Sequence, residues 1–321
     1  MSRLPVAAGL TLGVLADELF GDPRRGHPVA GFGTAAAALE RKIYRDSRKA
    51  GGQYTLACVL PVLATAALVE RRTAQHPTAR GIAIAAATWA VIGGRSLRRI
   101  ATNLATALDN DDTGAARALI PSLCGRDPAK LDSSGLARAT VESVAENTSD
   151  SVTAPLFWGA VAGLPGLLGY RAVNTLDAMV GHRSPRYARF GTAAARLDDL
   201  ANLVPARLTA VLTVAMAGQV GGSPTQAYRA WRSDAARHPS PNAGQCEAAA
   251  AGALGVTLGG ETSYRSHTEH RPFLGSGRPP EPADIRRATK LSHLLQYATL
   301  AVLLIAMHLQ EMARRSKGNQ E

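Results

Sequence analysis

The sequence predicts an all-α, polytopic helical membrane protein with broken or re-entrant segments around a polar site. Hydrophobic residues make up 46% of the 321 residues, whereas aromatic residues make up only 5%. Such a composition, rich in small residues, allows helix backbones to approach closely inside a membrane. Alternation typical of strands does not continue at length anywhere in the chain. We therefore expect a single integral-membrane domain over residues 1–321.

Apolar stretches separated by polar segments predict the individual helices. The first helix is expected over residues 4–20, where the turn signature Gly21-Asp22-Pro23 ends it. The stretches 54–69 and 81–94 are shorter than the ~20 residues that cross a bilayer upright, so membrane helices there need their flanking residues. Soluble core helices remain the alternative for these two stretches. Further apolar stretches cover residues 208–220, 243–259 and 291–309.

The apolar run 152–170 contains two prolines and four glycines, which a plain spanning helix rarely has. A broken or re-entrant segment is tolerated at membrane depth where it lines a cavity in the protein. A single site built from 141–150, 171–207 and 238–244 also needs all three on one side of the membrane. We therefore expect 152–170, 208–220 or both to be re-entrant or buried in protein.

The net charge of +11 has three interpretations, which are nucleic-acid binding, positive-inside bias and phosphate recognition. No nucleic-acid-binding motif accompanies the charge. We therefore favour a membrane protein that does not bind nucleic acid, with a soluble arginine-rich nucleic-acid binder as an alternative. A strongly basic loop is expected on the cytoplasmic side, and its residues include Arg24, Arg25, Arg41, Lys42, Arg45, Arg48 and Lys49.

The carboxylates of Glu142, Glu146 and Asp150 are spaced by four residues, which places them on one face of a continuous helix. Clustered oxygen ligands suit Mg²⁺, especially when the ion also contacts substrate phosphates. A solvated face with ion pairs is the alternative. The abrupt change into the apolar run 152–170 favours a functional role, because carboxylates beside a membrane are costly.

A second group of polar residues follows the run 152–170. Arg171, Asn174 and Asp177 share a helical face, and a basic loop follows at 182–189. This loop could hold a phosphate or simply reflect positive-inside bias. Other candidate polar residues are Asp22, His27, Asn147, Arg196, Asp198, Asp199, Asn202, Arg207, Asn242 and Gly244. The common nucleotide-binding loops GxxxxGK[ST] and GxGxxG are missing, so any nucleotide must bind by another geometry.

Several of these blocks together resemble the CobD/CbiB family. They are VESVAENTSDSVTAPLFW (141–158), YRAVNTLDAMVGHRSPRYARFGTAAARLDDLANLVPARLTA (170–210), HPSPNAGQCEAAAAGALGVTLGG (238–260) and the opening GDP…HPV (21–29). The blocks occur in the family's order over nearly the whole chain. Ser151 stands where the family usually has glycine, and Gln245 and Cys246 also depart from its pattern.

The resemblance implies an acid–amine ligase, adenosylcobinamide-phosphate synthase, in the cytoplasmic membrane as a multi-pass protein. Such an enzyme joins adenosylcobyric acid to (R)-1-amino-2-propanol phosphate or a close analogue, with ATP and Mg²⁺ as cosubstrates. The carboxylate is activated, most simply as an acyl phosphate, before the deprotonated amine attacks. A non-catalytic membrane sensor or transporter on a related scaffold is the alternative, and the amine and a homo-oligomeric state are left open.

The implied chemistry leads to hypothetical roles for the candidate residues. The catalytic group comprises Glu146, Asp177, Asp199 and His27, with Asp199 or His27 as base. The metal ligands are Asp150, Asp198, Glu142 and Asp22; Glu146 and Asp177 are further candidates for holding Mg²⁺ and the phosphates. The amides of Asn147, Asn174 and Asn242 orient the substrates, and Arg171, Arg196 and Arg207 contact phosphate.

Overall fold

The computed structural model describes residues 3–22, 26–182, 184–264 and 268–318. Most of these residues are helical, which confirms the predicted fold class. In chain order the helices are α1 (Leu4–Phe20), α2 (Pro28–Ile43), α3 (Arg48–Thr73), α4 (Pro77–Val91), α5 (Gly94–Asp109), α6 (Thr113–Leu119), α7 (Ser133–Thr148), α8 (Ala154–Leu176), α9 (Thr192–Met216), α10 (Pro224–Asp234), α11 (Ala243–Leu254) and α12 (Pro282–Gly318). Three residues of the predicted basic loops lie outside the described residues, and they are Arg24, Arg25 and Arg183. Pro23 of the predicted turn lies outside them as well.

The first predicted helix agrees with α1 at both ends, whereas the predicted helix 243–259 does not. α11 stops at Leu254, where Gly255 adopts a left-handed backbone with φ +68°. A strand β1 (Leu258–Ser263) then pairs antiparallel with β2 (Thr268–Leu274). The pairing contains an irregularity between Leu258 and Gly260, where glycine accommodates a positive φ. Our expectation of helix up to residue 259, without strands, was therefore wrong for this segment.

Four helical stretches within the described ranges are long and apolar enough to cross a membrane. They are Arg48–Thr73, Ser133–Gly181, Thr192–Val220 and Pro282–Ser316. Their length exceeds the ~20 residues that a bilayer requires. The chain is therefore a helical membrane protein.

The helical run through α8 is broken at Gly163, as its breakers predict. Gly163 has φ +61° and ψ −141°, which no helix contains. A Cβ placed on Gly166 would overlap the carbonyl oxygen of Trp158, and one on Gly159 would lie 2.8 Å from Cγ of Leu167. Eight residues of unbroken helix would separate such groups by about 12 Å. The two legs of α8, 154–162 and 164–176, therefore fold back against each other.

The residues cluster into two compact units. The first unit contains residues 1–93, 154–202 and 300–321. In this unit α1 and α4 pack closely, because Gly9 has no side chain. A Cβ at Gly9 would lie only 2.7 Å from the side chain of Ile84. A core around the buried aromatic rings of Tyr54 and Phe190, 5.1 Å apart between centroids, joins α3 to the segment before α9.

The second unit contains residues 94–153 and 203–299. Its core consists mainly of leucine, alanine and valine side chains from α5, α7, α11 and the first half of α12. α11 is packed on nearly all sides: a Cβ at Gly252 would meet the Ala227 backbone of α10 at 2.7 Å. The small side chains of α11 therefore allow backbone to approach backbone.

Candidate functional site

Two short π-helical segments lie beside the predicted acidic residues. Ser149–Thr153 follows α7 and contains Asp150, whereas Asp177–Gly181 follows α8 and begins with Asp177. Such segments widen the helical turn and are frequent at functional sites. Asp150 and Asp177 therefore leave the regular helical register at the points where the sequence predicts chemistry.

In the second unit, Glu142 of α7 is fully engaged with protein groups. Its carboxylate forms a buried ion pair with Arg126, and its Oε1 accepts the backbone N–H of Gly259 at 2.7 Å. The backbone N–H of Asp127, next to Arg126, also donates to the carbonyl of Ser263 in β1 at 2.9 Å. Glu142 thus holds the β-hairpin against α7, and its predicted role as a metal ligand stays a prediction.

Glu247 of α11 is a buried carboxylate that the sequence reasoning missed. Only 1% of this residue is exposed, and neither carboxylate oxygen has a hydrogen-bond partner among the described residues. Nε2 of His238 lies 3.8 Å from Oε1 of Glu247. Burial raises the pKa of Glu247 to about 7, although the charges of Arg271 and Arg126 act in the opposite direction. The group can therefore exchange a proton near neutral pH.

The imidazole of His238 is held in place by the loop before α11. Its Nδ1 accepts the backbone N–H of Ser240 at 3.0 Å, and the residue is 8% exposed. Burial, followed by the charge of Arg271, lowers the pKa of His238. A neutral imidazole is therefore favoured beside Glu247 at neutral pH.

Two arginines and a second carboxylate complete this group. Glu146 of α7 interacts electrostatically with Glu247, Arg271, His238 and Arg126. Arg271 of β2 donates from Nη2 to the Tyr264 hydroxyl at 2.7 Å. We call the set Glu146, Glu247, His238, Arg126 and Arg271 the acid–base cluster. It combines a proton acceptor with cationic groups that can stabilise negative charge, as acyl or phosphoryl transfer requires.

Other predicted residues of the second unit lie in local hydrogen bonds. Nη1 of Arg207 and Oδ1 of Asn242 are 3.4 Å apart, which brings these two predicted substrate contacts together. Nδ2 of Asn147 donates to the carbonyl and to the hydroxyl of Ser143, at 2.9 and 3.0 Å. Asp150 is half-buried.

In the first unit, Asp198 of α9 is the centre of a polar network. Its carboxylate accepts Nδ2 of Asn174 at 3.3 Å and Nδ2 of Asn202 at 3.0 Å. The hydroxyl of Tyr170 donates to Asn202 at 2.9 Å, and Arg171 donates to Asn174 at 3.4 Å. The second leg of α8 and the first part of α9 therefore bring together four predicted residues, which are Arg171, Asn174, Asp198 and Asn202.

The remaining predicted residues of the first unit are Asp22, His27, Asp177, Arg196 and Asp199. Asp199 is half-buried and Arg196 is exposed. Asp22 is half-buried, and Nδ1 of His27 accepts the Val29 N–H at 3.2 Å, which caps α2. The acidic residues of the described ranges form no group of three or more metal-ligating side chains. The predicted convergence of Glu146 and Asn242 with Asp177 and Asp198 stays a prediction.

The basic loop at 182–189 is partly committed to protein contacts. Nη2 of Arg186 donates to Oε1 of Glu40 at 3.0 Å, and its guanidinium carbon lies 3.9 Å from the ring centre of Tyr44. The hydroxyl of Tyr187 donates to the same oxygen of Glu40 at 3.0 Å. Arg186 therefore stabilises the loop as a cation stacked on an aromatic ring.

The fold and these side chains define a helical membrane protein with a buried acid–base cluster. A family model described as CobD/Cbib protein matches residues 10–292. The chain is 57% identical over 302 residues to the cobalamin biosynthesis protein CobD of Mycobacterium tuberculosis, covering 93% of this chain and 96% of that protein. It is 40% identical to CobD of Chromobacterium violaceum, with 92% and 95% covered. The chain belongs to the CobD/CbiB family. No solved structure matches it.

Proposed function

We propose that this protein is an acid–amine ligase of cobalamin biosynthesis in the cell membrane. It would join the carboxylate of adenosylcobyric acid to (R)-1-amino-2-propanol phosphate, or a close amino-alcohol phosphate, to give adenosylcobinamide phosphate. The family membership and the names of the relatives, cobalamin biosynthesis protein CobD, support the pathway. The observation that carries the reaction type is the buried Glu247 carboxylate with its two neighbouring arginines.

The reaction needs an activated carboxylate and a free amine. In the first step a carboxylate oxygen of the corrinoid bonds to the γ-phosphorus of ATP, and ADP leaves. In the second step the amine nitrogen attacks the acyl carbon, the C–O bond to phosphate breaks, and the amide and inorganic phosphate form. The nitrogen must first lose its ammonium proton, because the protonated form has no lone pair for attack.

Glu247 is suited to accept that proton. A general base works best when its pKa is near the operating pH, and burial raises the pKa of Glu247 to about 7. Because Nδ1 of His238 accepts the Ser240 N–H, the neutral imidazole carries its proton on Nε2, which lies 3.8 Å from Oε1 of Glu247 and can orient the carboxylate. We add Glu247 to Asp199 and His27 as candidates for the base.

The arginines supply the opposite charge. Arg126 and Arg271 both act electrostatically on Glu146 and Glu247. Preorganised cations of this kind stabilise charge that develops on phosphate or acyl oxygens in a low-dielectric site. Arginine also binds phosphate through parallel hydrogen bonds, which fits a substrate that carries a phosphate.

The residues present fit Mg²⁺ that is shared with substrate phosphates. Such an ion needs one or two protein carboxylates and takes its other ligands from phosphate and water. In the second unit, the half-buried carboxylate of Asp150 meets that requirement. When bound, the ion would neutralise phosphate charge during transfer.

A direct test compares two nucleophiles with the purified full-length protein in detergent. With ATP, Mg²⁺ and adenosylcobyric acid, the wild type should form amide from aminopropanol phosphate and hydroxamate from hydroxylamine. The Glu247→Gln variant should lose at least about 100-fold in amide formation. It should keep hydroxamate formation, because hydroxylamine is largely unprotonated at neutral pH.

The outcomes separate the reaction from the role of Glu247. Normal amide formation by Glu247→Gln would remove this residue as the base while leaving the ligase intact. Corrinoid binding by the wild type without ATP consumption would contradict the ligase and would favour a sensor or transporter. Glu146→Gln and Asp177→Asn are expected to fold and to lose product formation; normal turnover in both would exclude the predicted acidic residues from the mechanism.

A further inference from the structure

The first unit contains a cavity that the proposed reaction does not use. Its volume is about 290 Å³, and it is lined by Arg3, Arg80, Arg314 and Glu70 together with Val6 and residues 160–163. The four charged side chains come from the ends of α1, α4, α12 and α3, and residues 160–163 belong to the break in α8. The cavity therefore lies where several helices of the unit begin or end.

Part of the positive charge in this cavity has a structural role. Nη1 of Arg3 donates to the carbonyl of Ala160 at 2.7 Å, which satisfies an acceptor freed by the helix break. Nε of Arg80 donates to Glu70 at 2.7 Å, and the other carboxylate oxygen of Glu70 accepts the Leu164 N–H at 3.2 Å. One carboxylate thus offsets one of the three lining arginines, and the Ala160 carbonyl carries no net charge. The lining residues keep a formal excess of two positive charges, and the neighbouring Glu311 carboxylate, which accepts the Arg3 N–H at 3.3 Å, is paired with Arg315 at 3.0 Å.

Aliphatic side chains beside the cavity are exposed. Val161, which lines it, is 52% exposed. Next to the lining residues in sequence, Leu4 is 65% exposed, Ile82 63% and Met312 55%. In a membrane protein such exposed aliphatic surface is available to acyl chains, because it is not covered by other parts of the described chain. A cationic cavity therefore lies next to surface that suits hydrocarbon.

We propose that this cavity binds the phosphate headgroup of an anionic phospholipid, whose acyl chains lie along the exposed aliphatic residues. Basic pockets between membrane helices recognise anionic headgroups by charge. Guanidinium groups match phosphate oxygens by bidentate hydrogen bonds. A cavity of about 290 Å³ accommodates such a headgroup. The combination of excess charge and adjacent apolar surface selects a lipid over a free anion.

The test uses the full-length protein in detergent micelles and native mass spectrometry, with thermal unfolding as a second readout. Phosphatidylglycerol is compared with phosphatidylcholine of the same acyl chains. The wild type should bind and be stabilised by phosphatidylglycerol preferentially. In the Arg3→Gln/Arg314→Gln double variant, its affinity should fall about 25-fold, or about fivefold per arginine at about 1 kcal/mol each.

Arg72→Gln is the matched control, since Arg72 is exposed in the last turn of α3 and does not line the cavity. It should bind phosphatidylglycerol like the wild type. If the double variant does not fold, Arg314→Gln alone should lose about fivefold. Equal binding of both lipids by the wild type, or unchanged binding by the arginine variants, would overturn the proposal. Full competition by millimolar glycerol phosphate would also overturn it, because the site would then select a free phosphate.

Discussion

The replacement Glu247→Gln should stabilise the folded protein, and the gain should grow with pH. Burial raises the pKa of Glu247 from 4.5 to about 7, which at 1.36 kcal/mol per pKa unit amounts to about 3 kcal/mol. The folded state holds the proton in this pH interval, whereas the unfolded state releases it. The contribution of Glu247 to the free energy of unfolding therefore falls as pH rises from 4.5 to about 7 and is constant above that range.

Glutamine has nearly the same shape as glutamate and stays neutral, so the variant does not lose this free energy of unfolding as pH rises. We expect wild type and variant to unfold at similar temperatures at pH 4.5. At pH 8.5 the variant should unfold about 5 °C higher, since an unfolding entropy of about 2.1 cal/mol/K per residue shifts the midpoint of a 321-residue chain by roughly 1.5 °C per kcal/mol. Thermal unfolding in detergent, followed by circular dichroism at both pH values, measures the difference.

Glu261→Gln is the matched control, because Glu261 is an exposed carboxylate on β1. Its midpoint should differ little from the wild type at either pH, as expected for surface substitutions. A Glu247→Gln variant that is less stable at pH 8.5, or that shows the same difference at both pH values, would refute the reasoning. Glu247 would then be paired or solvated in the folded state.

Three further predictions follow from the same structure. The rate of amide formation should rise with pH through about 7 as Glu247 loses its proton, and a pH–rate profile without this rise would exclude it as the base. Arg126→Met should destabilise the fold by about 3–5 kcal/mol because it leaves Glu142 buried and unpaired, and Arg126→Met/Glu142→Met should recover most of this loss in denaturation experiments. Gly166→Ala should strongly destabilise the protein because its Cβ would overlap the first leg of α8, whereas Gly52→Ala, with open space around it, should not; equal midpoints in thermal unfolding would contradict the close packing of the two legs.

Local sequence signals predicted the helix ends and helix breaks that are determined by neighbouring residues. α1 was predictable because its apolar run begins at Leu4 and ends at the turn signature that starts with Gly21. The break in α8 was predictable because prolines and glycines disfavour an unbroken helix. Its fold-back required tertiary information, since the contact of Gly166 with Trp158 depends on both legs.

The β-hairpin and Glu247 were missed for different physical reasons. β1 contains consecutive glycines at positive φ, so its sequence lacks the alternation that indicates a strand. Glu247 is a lone carboxylate in an alanine-rich helix, and that isolation was a readable signal, because burying a single charge is costly. Its neighbours Arg126 and Arg271 lie far away in sequence, so the acid–base cluster could not be read from spacing.

The pairing of the arginines explains why Glu247 can remain a proton acceptor. A cation bound directly to this carboxylate would stabilise its charged form and lower its pKa, which would weaken it as a base at neutral pH. Arg126 is instead paired with Glu142, and Arg271 donates to Tyr264. Both therefore act on Glu247 from a distance, and burial remains the larger effect on its pKa. The ion pair of Glu142 thus has a chemical consequence beyond holding the hairpin, because it keeps one arginine from neutralising the proposed base.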